Sequence, residues 1–100
     1  MKVYIVTRAY NNFEDWEMNY SEVNGVFYKL DKAKDCAMAM VFDEIHDGGM
    51  KLVELSKHKT SFKSVVENIN YRLNNFKTVS LLQKVGEGET VISIIEEEVE

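Results

Sequence analysis

The segment that most constrains this chain runs from Asp31 to about His46, because as a helix it is apolar over too much of its circumference. At 100° per residue, Ala33, Cys36, Ala37, Met38, Met40, Val41, Phe42 and Ile45 sweep roughly two thirds of the wheel. A surface helix on a small domain needs an apolar stripe of only about 100°. The helix is therefore expected to meet its own sheet and also a second helix or another chain. Met38, Phe42 and Ile45 are the candidates for contact with a second copy, and a homodimer is the expected assembly, since symmetric dimers are the commonest oligomers.

The rest of the chain supplies the sheet. Lys2–Tyr10 is β-branched and aromatic with both faces substantially apolar, which predicts an interior strand. Asp15–Val23 alternates Trp16, Met18 and Tyr20 against Glu17, Asn19 and Ser21, the pattern of a half-buried strand. Asn24-Gly25 then makes a hairpin into Val26-Phe27-Tyr28 or bends one longer strand. Asp31 is the expected N-cap of the first helix, and Gly48-Gly49 follows its end. Met50–Lys57 reads as a short strand. Thr60 or Ser61 opens a second helix on the stripe Phe62, Val65, Val66, Ile69 and Leu73, unless the Ser64–Glu67 capping box starts it a turn later. Asn74-Asn75 ends it. Lys77–Val85 and Thr90–Glu97 flank a Gly86-x-Gly88 turn as a hairpin. The order β-β-α-β-α-β-β predicts one α+β domain over residues 1–100, a mostly antiparallel sheet with two helices on one face.

Gly25-Val26-Phe27-Tyr28-Lys29-Leu30-Asp31-Lys32-Ala33-Lys34-Asp35-Cys36-Ala37, with the opening Val3-Tyr4-Ile5-Val6-Thr7, resembles small uncharacterised proteins of low-GC bacteria and their phages. The resemblance covers residues 1–46 and rests on a strand ending in Val-Phe followed by a helix opening with x-Lys-Ala. It implies mainly a fold. Small phage proteins of this kind often act by binding a host protein, and some block bacterial defence systems. The pattern carries no functional residues.

Charge narrows the partners. The chain carries 12 Lys and Arg against 17 Asp and Glu, a net charge of −5. Phosphate backbones and anionic lipid surfaces both demand clustered cations. Neither nucleic acid nor membrane is an expected partner, and a protein is. The acidic run Glu96-Glu97-Glu98-Val99-Glu100 is read as a solvated edge-strand end, with mimicry of nucleic-acid phosphate as the sharper alternative. A single cysteine and no bilayer-length apolar run lead to the expectation of a cytoplasmic protein.

Chemistry-bearing groups are sparse. His46 with Asp43 is too short a ligand set for a metal site, and His58 among lysines is expected to be solvated. Cys36 lies a turn into its helix, where a small buried hydrophobe is the expected role. No base is paired with a nucleophile, so neither an enzyme nor a cofactor is expected. Glu44 falls inside the apolar stripe; either Arg8 or Lys51 neutralises it, or the last turn carries it to water, which is the favoured reading. Tyr4, Arg8 and Tyr10 share one strand face, an aromatic surface with a cation that suits a protein or, alternatively, a nucleotide-like ligand. Phe13, Trp16 and Tyr71 complete the candidate contact residues, being of types that dominate binding hot spots. The expected function is thus a small protein-interaction module, an inhibitor of a host or defence protein if the phage resemblance holds. A small-ligand binder is the alternative and a thiol- or His-dependent enzyme comes last.

Overall fold

The computed structural model describes residues 1–13, 19–55, 61–84 and 88–99. Its elements are β1 (Lys2–Asn12), β2 (Tyr20–Phe27), α1 (Leu30–His46), β3 (Met50–Leu52), α2 (Val65–Phe76), β4 (Thr78–Gln83) and β5 (Gly88–Glu98). The strands form one antiparallel sheet in the order β2-β1-β5-β4-β3. The expected α+β class and element order are both present. β1 lies inside the sheet, between β2 and β5, as its doubly apolar sequence requires.

Both helices pack on the same face. Val6 of β1, Ile92 and Ile94 of β5, and Val79 and Leu81 of β4 point to that face, where Ala33, Ala37 and Val41 of α1 and Ile69 and Leu73 of α2 cover them. The extents of 43 × 37 × 23 Å describe a slab of two layers. The opposite face of the sheet carries no element among the described residues.

Several boundaries differ from the sequence reading. β2 is one strand with a bulge, not a hairpin, since Val6 opposes Gly25 while Thr7 opposes Val23, leaving Asn24 as the extra residue. Gly25 is needed there because a Cβ would sit 2.6 Å from the Phe27 ring. The N-cap of α1 is Lys29, two residues before the expected Asp31, and it makes no side-chain cap bond. Asp31 therefore serves in the first turn, where its charge opposes the helix dipole's positive end. Helix α2 takes the later of the two starts: Ser64 Oγ accepts from the Glu67 amide at 3.1 Å. Ser61 and Phe62 precede it, and Lys77 at φ 57° closes it one residue beyond the asparagine pair and Phe76. β3 is shorter than expected, although the Val53 amide still reaches the Ser80 carbonyl at 3.1 Å. Glu17, Met18, Lys57, His58, Thr60 and the Gly86 turn lie outside the described residues.

The acidic C-terminus is a correction of position. β5 is an interior strand, not an edge. Glu96 faces Lys2 at 3.7 Å and Glu98 binds the N-terminal ammonium at 3.0 Å, both in exposed settings.

Candidate functional site

The Tyr4/Arg8/Tyr10 face lies beneath the helices and does not form an open platform. Tyr4 is half-buried against the core. Arg8 is held on three sides: Nη1 reaches Glu44 Oε1 at 2.5 Å, Nη2 donates to the Tyr20 hydroxyl at 2.7 Å, and Nε lies 3.3 Å from Glu22 Oε1. That last contact is an ion pair without hydrogen-bond alignment, which leaves Nε buried and unbonded. Burial pulls the guanidinium pKa down, but Glu44, Tyr20 and Glu22 outweigh it and hold it above its ordinary value. Tyr10 stacks on Tyr20 with centroids 5.6 Å apart. The cation and rings of this face are thus engaged within the chain.

The same geometry corrects the favoured reading of Glu44. Its side chain is 15 % exposed and paired with Arg8, not carried to water. The last turn of α1 stays over β1, so an acid at this position needs the strand's arginine.

Met38, Phe42 and Ile45 are half-buried, packed on the edge of the core. Only Ala33, Ala37 and Val41 of α1 are fully buried. The outer flank of the broad apolar sweep is therefore partly covered by the chain itself. Phe42 also stacks on His46 at 5.9 Å. Among the described residues, no three His, Cys, Asp or Glu side chains converge as a metal site. Cys36 contacts Met40 (Sγ to Sδ 3.9 Å), and burial pushes its thiol pKa up, which disfavours the thiolate.

The candidate aromatics do not gather. Phe13 is exposed. Tyr71 packs its ring on Phe62 at 5.4 Å and Phe76 at 5.9 Å. Trp16 lies outside the described residues.

An uncovered run of apolar and uncharged residues lies on the sheet's open face, which sequence reading had not singled out. Three cross-strand rows span it: Val26–Ile5–Ile95, Val23–Thr7–Ser93–Thr78 and Ser21–Ala9–Val91–Ser80. None of these side chains is charged. Val23, Val26 and Ile95 are 63 %, 59 % and 43 % exposed. In the middle row the Thr78 and Ser93 hydroxyls bond each other at 3.0 Å. A shallow depression of about 310 Å³ beside the bulge is lined by Thr7, Ser21, Val23, Ile95 and Glu22. Charge returns only at the two ends, with Glu97 opposite Val3, and with Glu89 and Lys51 in the row of Asn11. The signal was available in part, since the residues of β1 and β5 alternate between two apolar faces.

A second feature, also not anticipated, is Arg72 of α2, which is 4 % exposed. No helix among the described residues is long and apolar enough to cross a membrane. No protein-family model matches the chain, and no curated protein or solved structure does either.

Proposed function

We propose that the chain is a protein-interaction module that acts by binding, without catalysis, and that it pairs with a second copy through the open face of its sheet. The observation that carries the reading is the run of three uncharged rows across neighbouring strands. At most four strands about 4.8 Å apart and three rows spanning about 20 Å give a patch of no more than roughly 400 Å² in projection. Side-chain relief enlarges it towards the ~800 Å² per partner of a standard interface. A patch of this size matches the largest apolar patch of a typical soluble chain, which often marks an interaction site.

Three details favour a second copy as occupant. The three central rows hold no charge that would demand an opposite charge across the interface. The central hydroxyls share one hydrogen bond, so covering Thr78 and Ser93 leaves only one of the pair's two O–H donors to be met by the opposing copy. The outer rows also differ in bulk: Val26–Ile5–Ile95 is large, and Ser21–Ala9–Val91–Ser80 is smaller. A two-fold axis midway between the copies, parallel to both sheets and perpendicular to the strands, lays the large row of one copy on the smaller row of the other. Sheets pack face to face in this way about 10 Å apart.

Sizing by light scattering and sedimentation at high micromolar concentration tests the pairing. A dimer is expected for the parent chain, and Ile95→Glu is expected to make it monomeric with unchanged circular dichroism. A parent chain that is strictly monomeric overturns the proposal. A dimer broken by Phe42→Glu but not by Ile95→Glu moves the interface to α1. The resemblance to phage proteins would make a host protein the heterologous partner; capture from the native host that is lost in the Ile95→Glu variant would place that partner on the same face.

A further inference from the structure

Arg72 is a buried cation with no anion beside it among the described residues. Its Nε donates to Asn68 Oδ1 at 2.7 Å and its Nη2 to the Val53 carbonyl at 2.5 Å. Among the described residues no carboxylate lies within ion-pair distance of it. Neutral acceptors orient a guanidinium but do not balance its charge. The contrast with Arg8, the chain's other arginine, is direct, since Arg8 meets both Glu22 and Glu44. Nη1 of Arg72 donates to no described residue.

A cavity of about 310 Å³ opens at this guanidinium, walled by Leu52, Leu55 and Phe62, with Asn68 and Arg72 on its polar side. That volume is at the lower end of small-molecule sites. Because Asn68 Oδ1 is taken by Arg72, its amide nitrogen is left as a donor. Exposed Glu54 also lines the cavity and repels a multiply charged anion.

We propose that this cavity binds a small organic monocarboxylate, with its carboxylate on the outer Nη edge of Arg72 and the Asn68 amide, and its apolar body against Phe62, Leu55 and Leu52. A planar guanidinium matches a carboxylate with two parallel N–H bonds. The apolar side formed by Leu52, Leu55 and Phe62 suits an acid carrying a ring or short alkyl chain and suits inorganic phosphate poorly. Burial already pushes the Arg72 pKa down, and a bound carboxylate relieves that cost.

Benzoate titration followed by proton–nitrogen NMR tests the site. With only two arginines, the Arg72 Nε–H signal is assigned by comparison with Arg8→Lys. Benzoate is expected to shift that signal and the amides of Val53, Leu55 and Asn68 saturably, with a Kd of about 1 mM, as suits a ligand of this size. Benzamide and inorganic phosphate are expected to bind at least about tenfold more weakly, and Arg72→Lys to weaken benzoate by about tenfold through loss of the planar fork. Leu55→Trp, which fills the cavity and leaves Arg72 in place, is expected to abolish the response even if the arginine variant does not fold. Non-saturating shifts, an unmoved Arg72 signal, phosphate binding tighter than benzoate, or full binding by Leu55→Trp would each overturn the proposal.

Discussion

The two faces of this sheet are built from the same strands and meet opposite fates. On the covered face Val6, Ile92, Val79 and Leu81 are at most 1 % exposed under the helices. One residue along each strand, Ile5, Val91 and Ile95 look outward with no layer over them. An antiparallel sheet with one wet face normally alternates apolar inside with polar outside. β4 keeps that rule over its first four residues, with Thr78 and Ser80 outward against Val79 and Leu81 inward, and breaks it only at Leu82. β1, β5 and the bulged β2 break it. The three are neighbours in the sheet, so their outward apolar residues join into one patch, whereas the same residues on separated strands would be scattered and ordinary.

The sharpest way to break this comparison is to truncate one residue on each face. Leu81→Ala is expected to cost about 2–5 kcal/mol in urea unfolding, through lost burial and the cavity left behind. Ile5→Ala on the open face is expected to cost the monomer less than about 1.5 kcal/mol, while weakening self-association by tenfold or more. Equal losses of monomer stability would mean that both faces are covered, and the slab would no longer have an open side.

Next in size is the pair that ties α1 to the covered face. Glu44→Ala leaves Arg8 with only Glu22 and Tyr20 at the sheet's helix side. An expected loss of about 1–2 kcal/mol sits between the values for exposed and fully buried pairs, since Arg8 is 30 % and Glu44 15 % exposed. Arg8→Met with Glu44→Met is expected to recover most of it, because an apolar replacement removes both desolvation costs together. A double variant no better than the single one would show that the pair, and not the neutralised charge, holds the helix in place. Ser64→Ala is expected to cost about 1 kcal/mol by removing the cap of α2, with no change in self-association.

Much of the fold was legible because it is local. The double apolar character of residues 2–10, the capping box at Ser64 and the glycines after His46 all act within a few residues of themselves. What was not legible depends on which strand lies beside which. The Asn24-Gly25 ambiguity is settled by Val6 and Thr7 on a different strand. The apolar surplus was assigned to Met38, Phe42 and Ile45, whose flank the chain half covers, because a helical wheel can be drawn from sequence and a sheet face cannot. That Ile5 lies beside both Val26 and Ile95 is a matter of register between distant segments. Glu44 shows the same limit: its partner Arg8 was among the two named, but choosing between pairing and water required the crossing of α1 over β1. Arg72 follows Ile69 by three positions, so it sits at the edge of the stripe that Ile69 and Leu73 define. An arginine there reads equally well as a surface residue whose stem covers the core.

The smallest effect tests where the covered face ends. Cys36 stands at the rim of the core beneath β2, where a Cβ on Gly25 would lie 3.7 Å from its sulfur. Burial raises its pKa above the ordinary 9.0, so the folded state holds the thiol proton more tightly than the unfolded chain does. Stability is then fully present below pH 9.0 and falls as pH rises from there through the folded pKa. Cys36→Ala is expected to remove that alkaline slope from urea unfolding, and iodoacetamide is expected to alkylate folded Cys36 more slowly than the unfolded chain at pH 8. Alkylation faster than in the unfolded chain would mean that water and an activating cation reach the rim, and the boundary between the two faces would have to be drawn one helix turn further in.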